Sequence, residues 1–289
     1  MAGVAVRANL LCVTWSAARG HVFLFDLESR RPMSRWVMPA CERGWSDAAG
    51  VAMDAHFHIF VADPHNGRVR HFSAFGRHLG DLGFASPNVG DAVQDRPGVL
   101  DRPHSVALVD DVVLVGCGDR ARRRGVQRFA RNGSVLRPLA SGGDVEATFG
   151  APRGIHVDEA GIWVADTLRG RLQRFRRDGT FVAHVPLERG GVAARPVAVL
   201  RLRDGGFLVV DRGDDPGIFA LDELGAPTNV ARSMARRVAD PVTLAADERG
   251  RIYVLDRGGE RVVRFGRDLA FDGVVVDLEE HLDDYEPQA

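Results

Sequence analysis

The sequence predicts an all-β protein, a six-bladed β-propeller with four antiparallel strands per blade. The first observation behind this expectation is a recurring pattern: an apolar run, an Asp, a turn and a second alternating run. It is clearest at 58–72, HIFVADPHNGRVRHF, where Asn66-Gly67 between two β-rich runs is a strong hairpin signal. It returns as GIWVADTLRGRLQRF (161–175), GFLVVDRGDDPGIFAL (206–221) and RIYVLDRGGERVVRF (251–265). Blurred copies are VVLVGCGDRARRRGVQRF (112–129) and LLCVTWSAARGHVFLF (10–25). The second observation is the period. The last apolar residues of the copies, Phe25, Phe72, Phe129, Phe175, Leu221 and Phe265, are 47, 57, 46, 46 and 44 residues apart. Such a period built from short strands belongs to propellers and solenoids. The third is the second strand, which carries Ile162 and Val164 on one face and Trp163 and Ala165 on the other. A strand apolar on both faces is buried on both, and in a propeller those faces meet the preceding and following blades.

The turn residues delimit the elements. In the fourth copy, strand-like pieces cover 154–157, 161–165, 171–176 and 181–185. They are separated by Asp158-Glu159-Ala160, by the hairpin 166–170 and by Asp178-Gly179, residues that favour turns. Extended along the chain, the pattern places blades at about 1–38, 41–82, 100–139, 151–186, 195–230 and 240–278. Residues 1–278 are therefore expected to form a single propeller and 279–289 an acidic C-terminal tail. The end segment from Asp277, DLEEHLDDYEPQA, holds six of the 39 acids, which leaves 33 against 38 Arg in the ring.

Composition narrows the function classes. The chain has 289 residues, 45% hydrophobic and 27% charged, with a net charge of −1. It is thus not a polycation that would grip nucleic acid without discrimination. Every basic residue is Arg and there is no Lys, a composition typical of a GC-rich genome in which each basic contact can be a bidentate fork. Cys12, Cys41 and Cys117 are too irregularly spaced for a disulfide framework or a CxxC knuckle. A reduced, cytoplasmic setting is expected. The N-terminal run MAGVAVRANLLCVTW is interrupted by Arg7 and is accounted for by the inner strands of the first blade rather than by a signal peptide. No stretch reaches the ~20 apolar residues of a membrane span, so no membrane partner is expected, and the protein is expected to be a monomer.

Blade sequences of the form P-x-x-V-x-x-D-x-x-G-x-I-x-V-A-D-x-x-x-x-R-V-x-x-F resemble NHL repeats. Asp63 with Arg68, Asp166 with Arg171 and Asp256 with Arg261 carry the Asp and Arg of that pattern. The resemblance covers nearly the whole chain, most closely in blades two, four and six, and implies a six-bladed propeller without implying a function.

The Asp that ends each second strand (Asp63, Asp166, Asp211, Asp256) reads as a turn cap accepting backbone N–H groups, with the Arg five residues on bridging the hairpin; no catalytic residue is assigned. Blade three departs most from the other copies. It carries extra length at 87–103 and in its central hairpin, Cys117 replaces the usual Asp, and the insert GDRARRRG contributes Arg120, Arg122, Arg123 and Arg124. In a propeller both insertions open on the same rim. Arg153, Arg169, Arg189, Arg195, Arg232, Arg236 and Arg237 are expected on that face. A basic face on a near-neutral chain fits an anionic partner. The expected function is therefore a non-enzymatic binding propeller without cofactor. Its blade-three and blade-four rim, with Arg120, Arg122, Arg123, Arg124, Arg153, Arg169 and His104, is expected to take a protein or an anionic ligand such as RNA.

The alternative is a metal-dependent lyase or hydrolase at the central channel. Residues 102–108, RPHSVAL, resemble the PHS-apolar-A-L segment of the peptidyl-hydroxyglycine amidating lyases. That resemblance implies that His104 is one of three His ligands to a zinc ion. The positions equivalent to His104 in the other blades are Ala49, Arg153, Val197, Val242 and about Gly3, so the carry-over stops at one ligand, and His156 falls on the opposite face by alternation. Gluconolactonase-type propellers, which hold calcium or another divalent cation through acidic and Asn ligands, are similar only in architecture; Asp47, Asp101 and Asp240 are the oxygens available here.

Overall fold

The computed structural model describes residues 2–16, 19–40, 44–85, 97–118, 125–139, 147–189 and 191–282. Among them, six four-stranded antiparallel sheets form the six predicted blades. Blade one is β1 (Ala2–Arg7), β2 (Leu10–Ser16), β3 (Gly20–Asp26) and β4 (Arg31–Val37). Blade two is β5 (Val51–Met53), β6 (Ile59–Asp63), β7 (Arg68–Phe72) and β8 (His78–Leu82). Blade three is β9 (Pro103–Val109), β10 (Val112–Cys117), β11 (Gly125–Ala130) and β12 (Val135–Leu136). Blade four is β13 (Pro152–Asp158), β14 (Gly161–Asp166), β15 (Arg171–Phe175) and β16 (Phe181–Pro186). A two-stranded hairpin, β17 (Glu188–Arg189) and β18 (Val192–Ala193), leads on to blade five: β19 (Pro196–Arg201), β20 (Phe207–Asp211), β21 (Gly217–Leu221) and β22 (Pro227–Thr228). A short helix, α1 (Arg232–Ala235), precedes blade six: β23 (Pro241–Ala246), β24 (Ile252–Asp256), β25 (Arg261–Phe265) and β26 (Phe271–Asp277). The helix α2 (Glu279–Leu282) follows.

The core is a ring of six apolar clusters, one at each junction between adjacent blades. Ile162 and Val164 join the cluster facing blade three, and Trp163 and Ala165 the cluster facing blade five. The same division holds for Ile59 and Val61 against Phe60 and Ala62, and for Ile252 and Val254 against Tyr253 and Leu255. The residues that define the sequence period, Phe25, Phe72, Phe129, Phe175, Leu221 and Phe265, are all buried. Full burial of one such side chain stabilises the fold by about 1.5–3 kcal/mol, so the period repeats a core contact in every blade. Closure is by packing: Val4, Val13 and Phe25 of blade one meet Tyr253, Leu255 and Val276 of blade six, and Arg35 of blade one donates to the His281 carbonyl beyond blade six at 3.2 Å.

The repeated geometry of the blades is set by backbone register. The innermost strands β1, β5, β9, β13, β19 and β23 carry Val4, Val51, Val106, Ile155, Val199 and Leu244 opposite Val13, Val61, Val115, Val164, Val209 and Val254 of the second strands. Where innermost strands approach most closely, a side chain has no room. A Cβ on Gly50 would lie 2.5 Å from the carbonyl oxygen of His104, and one on Gly154 would lie 2.7 Å from the Cα of Ala198.

The repeated Asp is structural, as its sequence position implies. Asp166 accepts the backbone N–H groups of Gly150 (2.8 Å) and Ala151 (2.7 Å). Asp211 accepts that of Arg195 at 2.6 Å, and Asp256 that of Asp240 at 2.8 Å. Each carboxylate thus fastens the segment that enters its blade to the end of the second strand. The bridging Arg varies more than the pattern implies. Arg261 pairs with Asp256 at 3.3 Å and Arg171 approaches Asp166 at 3.8 Å. In blade two Arg68 turns to Asp81 (3.0 Å) and Arg70, seven residues after the Asp, reaches Asp63 at 3.4 Å. The reason is alternation: residues five and seven positions on share one face of the third strand, so either can reach back.

Candidate functional site: a basic mouth over an apolar collar

Two cavities meet inside the ring. Both are bounded by Val4, Val51, Val106, Ile155, Val199 and Leu244, one residue from each innermost strand. These six side chains form an apolar collar across the central channel. Register puts them at one level, since each pairs with the equivalent Val of its second strand.

The cavity of about 530 Å³ on one side of the collar is lined by Arg153, Arg195, Arg212 and Arg257 together with His104 and Thr167. No carboxylate occurs among its described lining residues. Two positions toward the mouth from the collar, the blades contribute Ala2, Ala49, His104, Arg153, Val197 and Val242. The blade-one equivalent of His104 is therefore Ala2, one residue before the expected Gly3; the other equivalents are as the sequence implies. Arg195 ends the segment leading into β19, and Arg212 and Arg257 directly follow Asp211 and Asp256. Asp240 lies between the last two, 2.5 Å from Arg212 Nη1 and 2.7 Å from Arg257 Nε. The Arg195 guanidinium forms no ion pair among the described residues. Thr167 spends its hydroxyl on the carbonyl of Pro196 at 2.6 Å.

The second cavity, of about 480 Å³, is lined by Arg7, Asp54, Asp110, Arg131, His156 and Arg177 among others. Its charges are of both signs and largely paired: Arg131 pairs with Asp54 and with the neighbouring Asp111 (3.1 Å), and Arg177 with Asp110 at 2.6 Å. Burial pushes the His156 imidazole down to about 4, with Arg201 acting in the same sense and Asp158 opposing. One end of the channel is therefore basic and the other mixed.

His104 and Arg153 of the sequence-predicted set come together at the basic mouth. Arg169 lies beside it without lining the cavity, its side chain 44% exposed and 3.9 Å from Asp166. Arg120, Arg122, Arg123 and Arg124 lie outside the described residues; the flanking Cys117 and Gly125 pair with each other at the mouth end of β10 and β11. Arg189 is held by Asp215 at 2.7 Å and lies over the Phe219 ring. The helix that contains Arg232 sits elsewhere. Ser233 reaches the carbonyl of Leu269 in the turn between β25 and β26, and Arg237 lies over Phe271, which starts β26. The helix α1 is thus packed toward the opposite end of blade six, with Met234 buried in the same cluster as Leu269, and the chain has returned toward the mouth end by Arg237, whose carbonyl accepts from Arg261 at 3.1 Å. Sequence reasoning did not single out Arg212 and Arg257. The available signal was their place immediately after the repeated Asp, where blade four has Thr167.

The donors around His104 do not fit a three-His zinc site. His156 lies on the far side of the collar, and no group of three His, Cys, Asp or Glu suited to a metal occurs among the described residues. No helix among the described residues is long and apolar enough to cross a membrane.

No protein-family model matches the sequence, and no curated protein is similar to it in sequence. Several solved structures share its fold. A protein of unknown function from Bacteroides caccae superposes with a TM-score of 0.65 at 15% identity, over 94% of this chain and 96% of that one. A chain of the nidogen/laminin complex gives 0.61 at 14% identity, over 89% of each chain. A catalytically inactive virginiamycin B lyase from Staphylococcus aureus with quinupristin gives 0.56 at 12% identity, over 87% of this chain and 90% of that one. At these identities the likeness is one of propeller fold.

Proposed function

We propose that the chain is a non-enzymatic, NHL-type binding propeller whose ligand carries negative charge and is held at the basic mouth of the channel. The observation that carries this reading is the convergence of four guanidinium groups from three consecutive blades, Arg153, Arg195, Arg212 and Arg257, on a cavity without a carboxylate among its described lining residues. Guanidinium groups bind anions through charge-assisted, often bidentate hydrogen bonds. Asp240 offsets part of the charge, and the excess remains positive. The described residues that flank the Arg insert of blade three, Cys117 and Gly125, pair at the same end of the ring. A metal-dependent lyase or hydrolase around His104 is the competing reading, and metal analysis of the purified protein separates the two.

The test is calorimetric titration of inorganic phosphate and of heparin into the wild type and into an Arg153→Glu/Arg195→Glu variant, at two salt concentrations. Wild-type binding that weakens with salt and is lost in the variant supports the reading; equal affinity in both proteins overturns it.

A further inference from the structure

We infer that the occupant of the mouth is an amphipathic organic anion, seated with its anionic headgroup at the arginine rim and its apolar body in the throat below. This rests on the anion-binding reading above and adds the chemical class of the ligand.

The cavity changes character with depth. Its rim is formed by Arg195, Arg212 and Arg257. One level in, Ala2, Ala49, Val197 and Val242 supply four of the six positions, and the two polar ones, His104 and Arg153, are neighbours on blades three and four. The floor is the collar of branched aliphatic side chains. The wall on blades one and two is formed by Gly3 and Gly50 with their flanking alanines. Its backbone is already engaged: the Gly50 N–H donates to the His104 carbonyl at 2.9 Å, and the Gly50 carbonyl accepts from Ala62 at 2.9 Å. That wall offers shape to a ligand rather than hydrogen bonds.

From Arg195 to Val199 the chain advances four residues through the irregularity at the start of β19, at most roughly 13 Å of depth at about 3.3 Å per residue. A bare inorganic anion would satisfy the rim and leave the throat as water-filled apolar space. A neutral apolar molecule would fill the throat and leave the net positive charge of the rim, three guanidinium groups against Asp240 alone among the described residues, uncompensated. A carboxylate or phosphate ester with an alkyl or aryl body matches both halves, and ligand sites of this volume combine apolar walls with a few convergent polar groups in the same way.

The test is titration of the full-length chain, at low ionic strength, with inorganic phosphate and with the series acetate, butyrate, hexanoate and octanoate. Phosphate should bind, and carboxylate affinity should climb by about three- to fourfold per added methylene until the throat is full. The climb should flatten in Val197→Ser/Val242→Ser, with circular dichroism confirming the folded state. Phosphate binding with a flat carboxylate series overturns the inference and leaves the anion-binding reading standing. Failure of phosphate and of every carboxylate to bind overturns that reading itself. Carboxylate affinities that stay at the wild-type level in Arg195→Ala/Arg257→Ala place these ligands on a surface elsewhere and also overturn the inference.

Discussion

The carboxylate of Asp166 and the backbone N–H of Ala151, fifteen residues upstream, meet at 2.7 Å. The bond fastens the segment entering blade four to the end of that blade's second strand, with Asp166 fully buried. Replacing Asp166 with Ala would strip the N–H groups of Gly150 and Ala151 of their acceptor and leave the Gln173 amide only the Thr148 carbonyl. Buried donors left unmatched cost about 1–3 kcal/mol each where water cannot reach them. Asp166→Ala should therefore lower unfolding stability by about 2–4 kcal/mol in denaturant titrations. A loss below about 0.5 kcal/mol, the range of an ordinary surface substitution, would show that this carboxylate does not organise the blade.

Asp240 is the brake on the charge of the mouth, because it pairs with both Arg212 and Arg257. Asp240→Asn should raise phosphate affinity by about three- to tenfold at low salt, an electrostatic gain that shrinks as ionic strength rises. Stability should change by less than about 1 kcal/mol, since the partners remain partly solvated. Calorimetry at two salt concentrations reads both; an affinity indifferent to Asp240 would mean that the anion does not sit near these two arginines.

The insert GDRARRRG yields a separate expectation from its sequence. Changing Arg122, Arg123 and Arg124 to Glu should leave the melting temperature nearly unchanged, as surface substitutions usually shift stability by within about half a kcal/mol each. Binding to RNA and heparin should fall sharply, and wild-type binding should weaken with added salt. Unchanged affinity would remove the insert from the binding rim.

His156 should make the fold acid-sensitive. Its folded-state value is pushed down to about 4 from 6.5, chiefly by burial. The folded protein therefore resists protonating a group that the unfolded chain protonates freely. The stability is fully present above pH 6.5 and is lost progressively as pH falls toward 4, by an amount on the order of 2–3 kcal/mol. His156→Gln should flatten this dependence in urea titrations between about pH 7 and about pH 4.5. A residual slope is expected from His21 and His71, which burial also lowers. If the slope is the same in variant and wild type, the acid sensitivity originates elsewhere.

Much of the fold was legible in the sequence. The alternation in Ile162-Trp163-Val164-Ala165 identifies a strand buried on both faces, and the spacing of Phe175 from Phe129 and Leu221 counts blades. Both signals are local: strand alternation and turn chemistry depend on neighbours within a few residues. The structural role of Asp166 and the isolation of His104 from other histidines followed from the same register. The roles of Arg212 and Arg257 did not, because the repeated Asp before them drew the pattern to itself.

What only the tertiary structure decided is which side chains meet across blades. Val4 and Leu244 lie at opposite ends of the chain and share one collar, while the helix that contains Arg232, close in sequence to Arg212, packs toward the other end of blade six. A period places each residue within its own blade. The level at which six innermost strands converge, and hence whether an arginine reaches the channel or the flank, is set by packing between blades and by where buried side chains such as Met234 draw the connecting segments.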